Sequence, residues 1–271
     1  MDLRHIVAAT DESEAGRRAV RAGITLAHRA GGRVTVMRAV TAAAVPILAA
    51  VGQEGVPEEF DYSGGAMERL QRWLEPELSR LPPAVSVELG IAFGAPGIEI
   101  CRFAEDRAAD LLVLGRKQRS QLGRLLLGDT ADAVARRSRI PCLFVSRNTS
   151  SFSRILVALD GTPRGLAVLN SATAFAERLG RHLRAVTVEP KWAAGKRHRL
   201  AGWPGALPAG ELLERRRGDI VEQVLLATEE SNAEVLVFGY HRGGPPGIIE
   251  AGSTARRLAH TAPCAVLTIP L

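Results

Sequence analysis

Two rhythms of apolar residues alternate along the chain. Short apolar runs without a polar face, such as Ile6–Ala9 and Leu111–Leu114, read as strands covered on both sides. Between them lie stretches with apolar residues three and four apart, which read as helices packing one stripe inward. The first half thus predicts strand one at Ile6–Ala9 and a helix begun by Ser13, with Ala19, Ala22, Ile24 and Leu26–Ala27 on its apolar face. Gly31–Gly32 stops that helix, because glycine enters the left-handed conformation at a helix C-terminus without a Cβ penalty. Strand two follows at Arg33–Val40, then a helix over Gly64–Leu81 despite Pro76, and strand three at Val85–Ile91. A helix over Gly97–Ala109, strand four at Leu111–Leu114, a helix over Asp129–Arg137 and strand five at Pro141–Val145 complete the half.

The pattern then repeats. HIVAATDES, where Asp11 closes strand one, returns 149 residues on as RILVALDGT with Asp160 in the same place. LLVLGRKQ at Leu111–Gln118 returns as VLVFGYHR at Val235–Arg242, now offset by 124. A fixed internal offset marks a duplicated unit. The shrinking offset means that the second copy has lost about one helix with its loop, judged from ordinary element lengths. Its strands are expected at Ile155–Leu159, Leu183–Val188, Val235–Phe238 and Ala265–Ile269, with Leu212–Arg216 offering a third strand. Thr162–Pro163 opens one helix as N-cap and first residue, and others cover Asp219–Ser231 and Ser253–His260. A Gly/Pro/Trp-rich loop, Pro190–Gly210, stands where the first copy has its Gly64–Leu81 helix. The Ser/Thr linker Asn148–Ser153 separates a domain over residues 1–148 from a shorter one over 152–271.

Strands alternating with helices imply right-handed crossovers and a parallel sheet with helices on both faces. Ligands of such sheets sit beyond the carboxyl ends of the strands, where the strand order reverses. The site is therefore expected at the ends of strands one and four, where the repeated signatures fall.

Composition narrows the picture. Only 4% of the 271 residues are aromatic, so Ala, Val, Leu and Ile must build the core. The formal charge of +6 is carried almost wholly by arginine, with lysine only at 117, 191 and 196. The densest basic run, Arg215–Arg217, has no interleaved aromatic residue and reads as a solvated face, so nucleic acid is not the expected partner. Three scattered cysteines without a CxxC fit a reduced, cytoplasmic setting. MDLRHIVAA runs straight into a strand, with no signal-peptide pattern, and the longest apolar run, Ala42–Val51, is too short to span a bilayer. The six histidines show no metal spacing, and the P-loop, dinucleotide and hydrolase-elbow fingerprints are missing.

What remains is a spaced set in each copy. The first has Gly115, then Gln118 after two residues, then Gly128–Asp129 after nine. The second has Gly239, Arg242 and Gly252–Ser253 at the same spacings. With Asp11 and Asp160, and with the flanks LGRLLLGDTADAV, SRIPCLFV and APCAVLTI, this set resembles the universal stress protein family over nearly the whole chain. The resemblance implies two flavodoxin-like (adenine nucleotide alpha hydrolase-like) α/β domains, the second lacking one helix. It implies ATP or AMP in those members that bind nucleotide, with Mg²⁺ only alongside ATP. It gives the adenine and ribose to Asp11 or Asp160 and to the strand-two residues Ala39 or Val188. It gives the phosphates to the glycine segment and the following helix N-terminus, where free amides and the positive dipole end favour an anion. It also implies pairing through strand five, Leu143–Val145 against Val266–Thr268, giving an intrachain pseudo-dimer and a homodimer of such chains.

Both copies depart from the family's pattern. The middle glycine is Gln118 in one and Arg242 in the other, and a side chain at positive φ there would cost ~1–2 kcal/mol. The Ser/Thr that follows the last glycine is Asp129 in the first copy, and its carboxylate competes for the amides that a phosphate needs. A like charge at contact distance costs ~1 kcal/mol in water and ~4 at an effective dielectric of 20. Arg116, Lys117, Arg119 and Arg124 offer compensation, or Asp129 could hold a Mg²⁺. The expectation is a stress-response protein that acts by binding and not by turnover. A nucleotide-independent dimeric scaffold with degenerate pockets is the alternative, and a weak ATPase stands behind it. Without a ligand, each aspartate simply closes a strand-end turn.

Overall fold

The computed structural model describes residues 1–41, 62–118, 125–147, 149, 151–190, 213–241 and 253–271. The first half runs β1 (His5–Ala9), α1 (Glu14–Ala30), β2 (Arg33–Val40), α2 (Tyr62–Leu78), β3 (Val87–Phe93), α3 (Pro96–Asp106) and β4 (Leu111–Gly115). A two-stranded ribbon follows, β5 (Lys117–Gln118) and β6 (Leu125–Leu126), then α4 (Asp129–Arg137) and β7 (Cys142–Val145). The second half runs β8 (Ile155–Leu159), α5 (Pro163–Arg178), β9 (Leu183–Pro190), β10 (Leu213–Gly218), α6 (Ile220–Glu230), β11 (Val235–Tyr240), α7 (Ser253–Thr261) and β12 (Ala265–Pro270). The third strand expected near Leu212–Arg216 is β10, parallel to β9 with Arg216 opposite Val188. The Pro190–Gly210 loop falls almost wholly outside the described residues, as do Arg242 and Gly252.

Each half is a five-stranded parallel layer in the order third, second, first, fourth, fifth. The order reverses between the first and fourth strands, β1 and β4 or β8 and β11, the position at which ligands of such sheets sit. The two layers join into one ten-stranded sheet through a single antiparallel pair, β7 with β12, in which Leu143 faces Leu267. These would otherwise be apolar edge strands, open to pairing with other chains.

Alternation along the strands feeds two cores. Ile6 and Ala8 pack with Val20 of α1, Leu70 of α2 and Phe175 of α5 on one face. Val7 and Ala9 pack with Phe103 of α3, Val134 of α4, Val224 of α6 and Leu258 of α7 on the other. Both cores draw on both halves.

The helix signals act as read. Ser13 accepts from the Gly16 amide, and Gly31 ends α1 in the left-handed region at φ 66°. Thr162 accepts from the Gly165 amide, with Pro163 as first residue. The duplication extends to backbone strain: left-handed Leu3 and Ala108 recur as Phe152 and Asn232, and Glu12 (φ 62°) as Gly161 (φ 71°).

Candidate functional site

A cleft of about 600 Å³ opens at the carboxyl ends of β1, β2 and β4. It gathers five of the first-half positions singled out in the sequence: Asp11, Ala39, Gly115, Gly128 and Asp129. Apolar side chains of Ile100, Leu114 and Leu127 supply its walls.

Asp11 sits on the turn from β1 into α1. Its Oδ1 accepts from the Ser13 amide at 3.2 Å and from the Ser13 hydroxyl. Asp160 repeats the arrangement on Thr162, with amide and hydroxyl bonds of 2.9 and 2.7 Å. The turn-closing role expected of a strand-end aspartate is therefore present in both halves, and Asp11 also faces the cleft.

The two glycines of the first half differ in kind. A Cβ on Gly115 would overlap the carbonyl of Ala15, so α1 packs directly on the backbone where β4 ends. A Cβ on Gly128 would meet nothing within 4 Å, and its φ of −69° is open to any residue. Neither packing nor backbone conformation requires glycine at 128. Gly128 is the N-cap of α4 and has no side chain to satisfy the first amides of the helix. Asp129 is the first helical residue and is exposed, so the capping position belongs to Gly128 and not to Asp129. Gln118 lies in the extended ribbon β5, so its backbone does not take the positive φ considered for a glycine there.

In the second half Asp160 follows β8, Val188 lies in β9, Gly239 in β11, and Ser253 opens α7. A Cβ on Gly239 would lie 2.5 Å from a terminal methyl of Leu271 and 3.0 Å from Val168, side chains that must shift to admit it, whereas Gly115 meets backbone.

Arg116 corrects the sequence reading. Its guanidinium does not face the cleft. It is fully buried in the seam between the halves, where Nη1 donates to the carbonyls of Ala262 (2.9 Å) and Cys264 (2.8 Å) and Nη2 to that of His260 (3.2 Å). A cation at the C-terminal end of α7 meets the negative end of the helix dipole. Burial still pushes its pKa down to about 10. The sequence carried no signal for this contact, because the partners are backbone carbonyls 144 to 148 residues away.

The second residue missed is His260. It belongs to α7 of the second half yet lines the first-half cleft, as Gly128 and Asp129 do. Its Nε2 lies 3.5 Å from Oδ1 of the buried Asp132 of α4. Arg136 at 3.1 Å and Arg256 at 3.5 Å also flank that carboxylate. Spacing along one half cannot reveal a residue supplied by the other.

No strong nucleophile is apparent among the cysteines. Burial raises the Cys101 thiol to about 11 and the Cys142 and Cys264 thiols to about 12. Among the described residues no cluster of three or more His, Cys, Asp or Glu could hold a metal ion, and no helix is long and apolar enough to cross a membrane.

The family model for universal stress proteins matches residues 2–146 and 206–270. A universal stress protein of Mycolicibacterium smegmatis is 27% identical over 186 residues, covering 60% of this chain and 62% of that protein. One of Mycobacterium bovis is 26% identical over 203 residues, covering 66% and 67%. The crystal structure of a universal stress protein from Archaeoglobus fulgidus superposes at a TM-score of 0.75 and 19% identity, covering 100% of this chain and 99% of that one. The duplicated five-stranded layers and both matched segments agree: the chain belongs to the universal stress protein family, as a tandem member with two copies of the unit.

Proposed function

We propose that the first-half cleft binds an adenine nucleotide, ATP or AMP, and that the protein acts in stress response by binding rather than by turnover. The observation that carries this reading is Gly128, a glycine required neither by packing nor by φ, placed where a missing side chain leaves the first amides of α4 open to the cleft. Those amides and the helix dipole favour a phosphate. The adenine would lie near Ala39 against Ile100, Leu114 and Leu127, with the ribose hydroxyls at Asp11. Asp129 weakens the field for an anion, but an exposed carboxylate acts through water, at ~1 kcal/mol for charges in contact. If ATP is the ligand, its Mg²⁺ would face Asp129. The β7–β12 pairing supports reading residues 1–148 and 152–271 as a covalent pseudo-dimer.

Isothermal calorimetry with ATP and AMP tests the reading. The expected result is sub-millimolar binding that Gly128→Val and Asp11→Ala each weaken at least about tenfold, or ~1.4 kcal/mol. No binding by the native chain would favour the nucleotide-independent scaffold. Binding that Gly128→Val leaves intact and Gly252→Val removes would move the site to the second half.

A further inference from the structure

We infer that the first-half cleft is a composite site, completed by His260 of the second half, which reads the phosphate group of the ligand and makes its binding proton-linked. The inference rests on the nucleotide reading above and adds a residue from outside the unit that carries the motif.

Three observations converge on His260. It lines the same cleft as Gly128, Asp129 and Thr130, which start α4. Its Nε2 and the facing Oδ1 of Asp132 are both buried, and neither makes a hydrogen bond with any described residue. They stand 3.5 Å apart, too far for a good bond and close enough for an ion pair once the ring gains a proton. His260 is also held in place from behind, because the buried Arg116 guanidinium donates to its carbonyl and to those of Ala262 and Cys264. Arg116 directly follows Gly115 of the cleft, so the same short segment shapes the cleft and fixes the residue from the other half.

The charges around the ring set the direction of the effect. Asp129 and Asp132 of α4 are acidic; Arg136 of α4 and Arg256 of α7 are basic and both flank Asp132. Tyr240 of β11 is buried nearby, its hydroxyl pushed up by burial and by the charge of Asp132. Asp132 is thus already shared by two arginines, and its Oδ1 still lacks a hydrogen-bond donor. A phosphate at the α4 N-terminus adds negative charge to the cleft that His260 also lines. Negative charge brought into the cleft by the ligand favours imidazolium over imidazole, so the site takes up a proton when it fills. By linkage, affinity for the phosphorylated ligand rises as pH falls through the range in which histidine titrates.

The duplication supports this asymmetric use. In the second half the position matching Asp132 is Arg256, and the position matching His260 is Arg136. A symmetric pair of first halves would set Asp132 against its own copy. The unequal copies instead set an acid against bases at the seam, next to the first-half cleft.

The test is calorimetric titration of the full chain with ATP and with adenosine, at pH 6 and pH 8 and in buffers of different ionisation heat. The native chain should bind ATP about tenfold more tightly at pH 6, the scale of one charge-assisted hydrogen bond. It should take up more protons on binding than His260→Gln does, a difference that cancels the proton chemistry of ATP itself. His260→Gln should bind ATP at pH 6 about as weakly as the native chain does at pH 8, and should leave adenosine binding unchanged. Native-like ATP affinity and proton uptake in His260→Gln would overturn the role of His260 while the nucleotide reading stands. An equal loss of adenosine and ATP binding would mark a packing role and overturn it as well. Failure of the native chain to bind either ligand would overturn both.

Discussion

Single residues divide into those the fold requires and those it leaves free. Gly115 is required: Gly115→Ala must push α1 off the end of β4, and overpacking of this kind costs about 1–3 kcal/mol. Gly128→Ala faces open space and should cost less than about 1 kcal/mol, the difference between glycine and alanine as an N-cap. Chemical denaturation of the two variants distinguishes them, and equal losses would contradict the assignment. Ala108 is the reverse case, a left-handed alanine at φ 48° whose counterpart is Asn232. Ala108→Asn should raise stability by about 0.5–1 kcal/mol, because asparagine tolerates that conformation better. An unchanged or lower unfolding midpoint would show that the strain is absorbed elsewhere. From sequence the two first-half glycines looked alike, since spacing records that a glycine is present and not what its missing Cβ would strike.

Elements were more legible than residues. The apolar runs became strands because burial on both faces leaves no place for polar side chains, and Ser13, Gly31 and Thr162 cap where their chemistry allows. The β5–β6 ribbon leaves no mark in the sequence pattern, because strands of two residues carry no periodicity. Strand three begins two residues later than expected, at Val87, and its burial is mixed, as befits the edge of the sheet. The carboxylates at the start of the fourth strands show how the copies share a solution. Asp110 accepts from the amides of Arg4 and His5, while Glu234 accepts from the Ser153 amide and the Ser151 and Ser153 hydroxyls. Each ties the entry of the first strand to the fourth. For Glu234, burial pushes the carboxyl up, yet the Ser151 and Ser153 bonds and Arg154 outweigh it and hold its pKa below the usual value. Glu234→Gln should weaken the second half by about 1–2 kcal/mol, the scale of a hydrogen bond to a charged acceptor. Faster amide exchange confined to β8 and β11 would report it, and unchanged exchange there would contradict it.

The two halves are joined by the β7–β12 pair, by their shared cores and by Arg116, which no repeat-based reasoning identifies because its counterpart in the second half is Tyr240. Arg116→Ala would take this donor from three carbonyls, those of Ala262 and Cys264 in buried bonds, and open a cavity, at a cost of about 2–4 kcal/mol, read as a lowered unfolding midpoint. Acid should weaken the whole fold in two stages. Burial lowers the pKa of His5, whose Nε2 lies 2.8 Å from the Thr35 hydroxyl. The unfolded chain therefore protonates this histidine first. Its stabilising contribution is present above about pH 6.5 and is lost as pH falls through the lower folded value. Glu77 is held down chiefly by its hydrogen bond from Arg21, with help from Arg17, so its contribution is present above its unfolded value and disappears at more acid pH still. Thermal midpoints should begin to fall below pH 6.5 in the native chain and less steeply in His5→Gln; identical slopes would remove His5 from the account. The central claim, that the first-half cleft is an adenine-nucleotide site, is tested most directly by a crystal structure of the full chain grown with ATP. The account predicts ligand density with phosphates within hydrogen-bonding distance of the amides at Asp129–Ala131 and the adenine beside Ala39. A cleft without ligand in a crystal whose second half holds the nucleotide, or whose halves both remain empty at millimolar ATP, would contradict it.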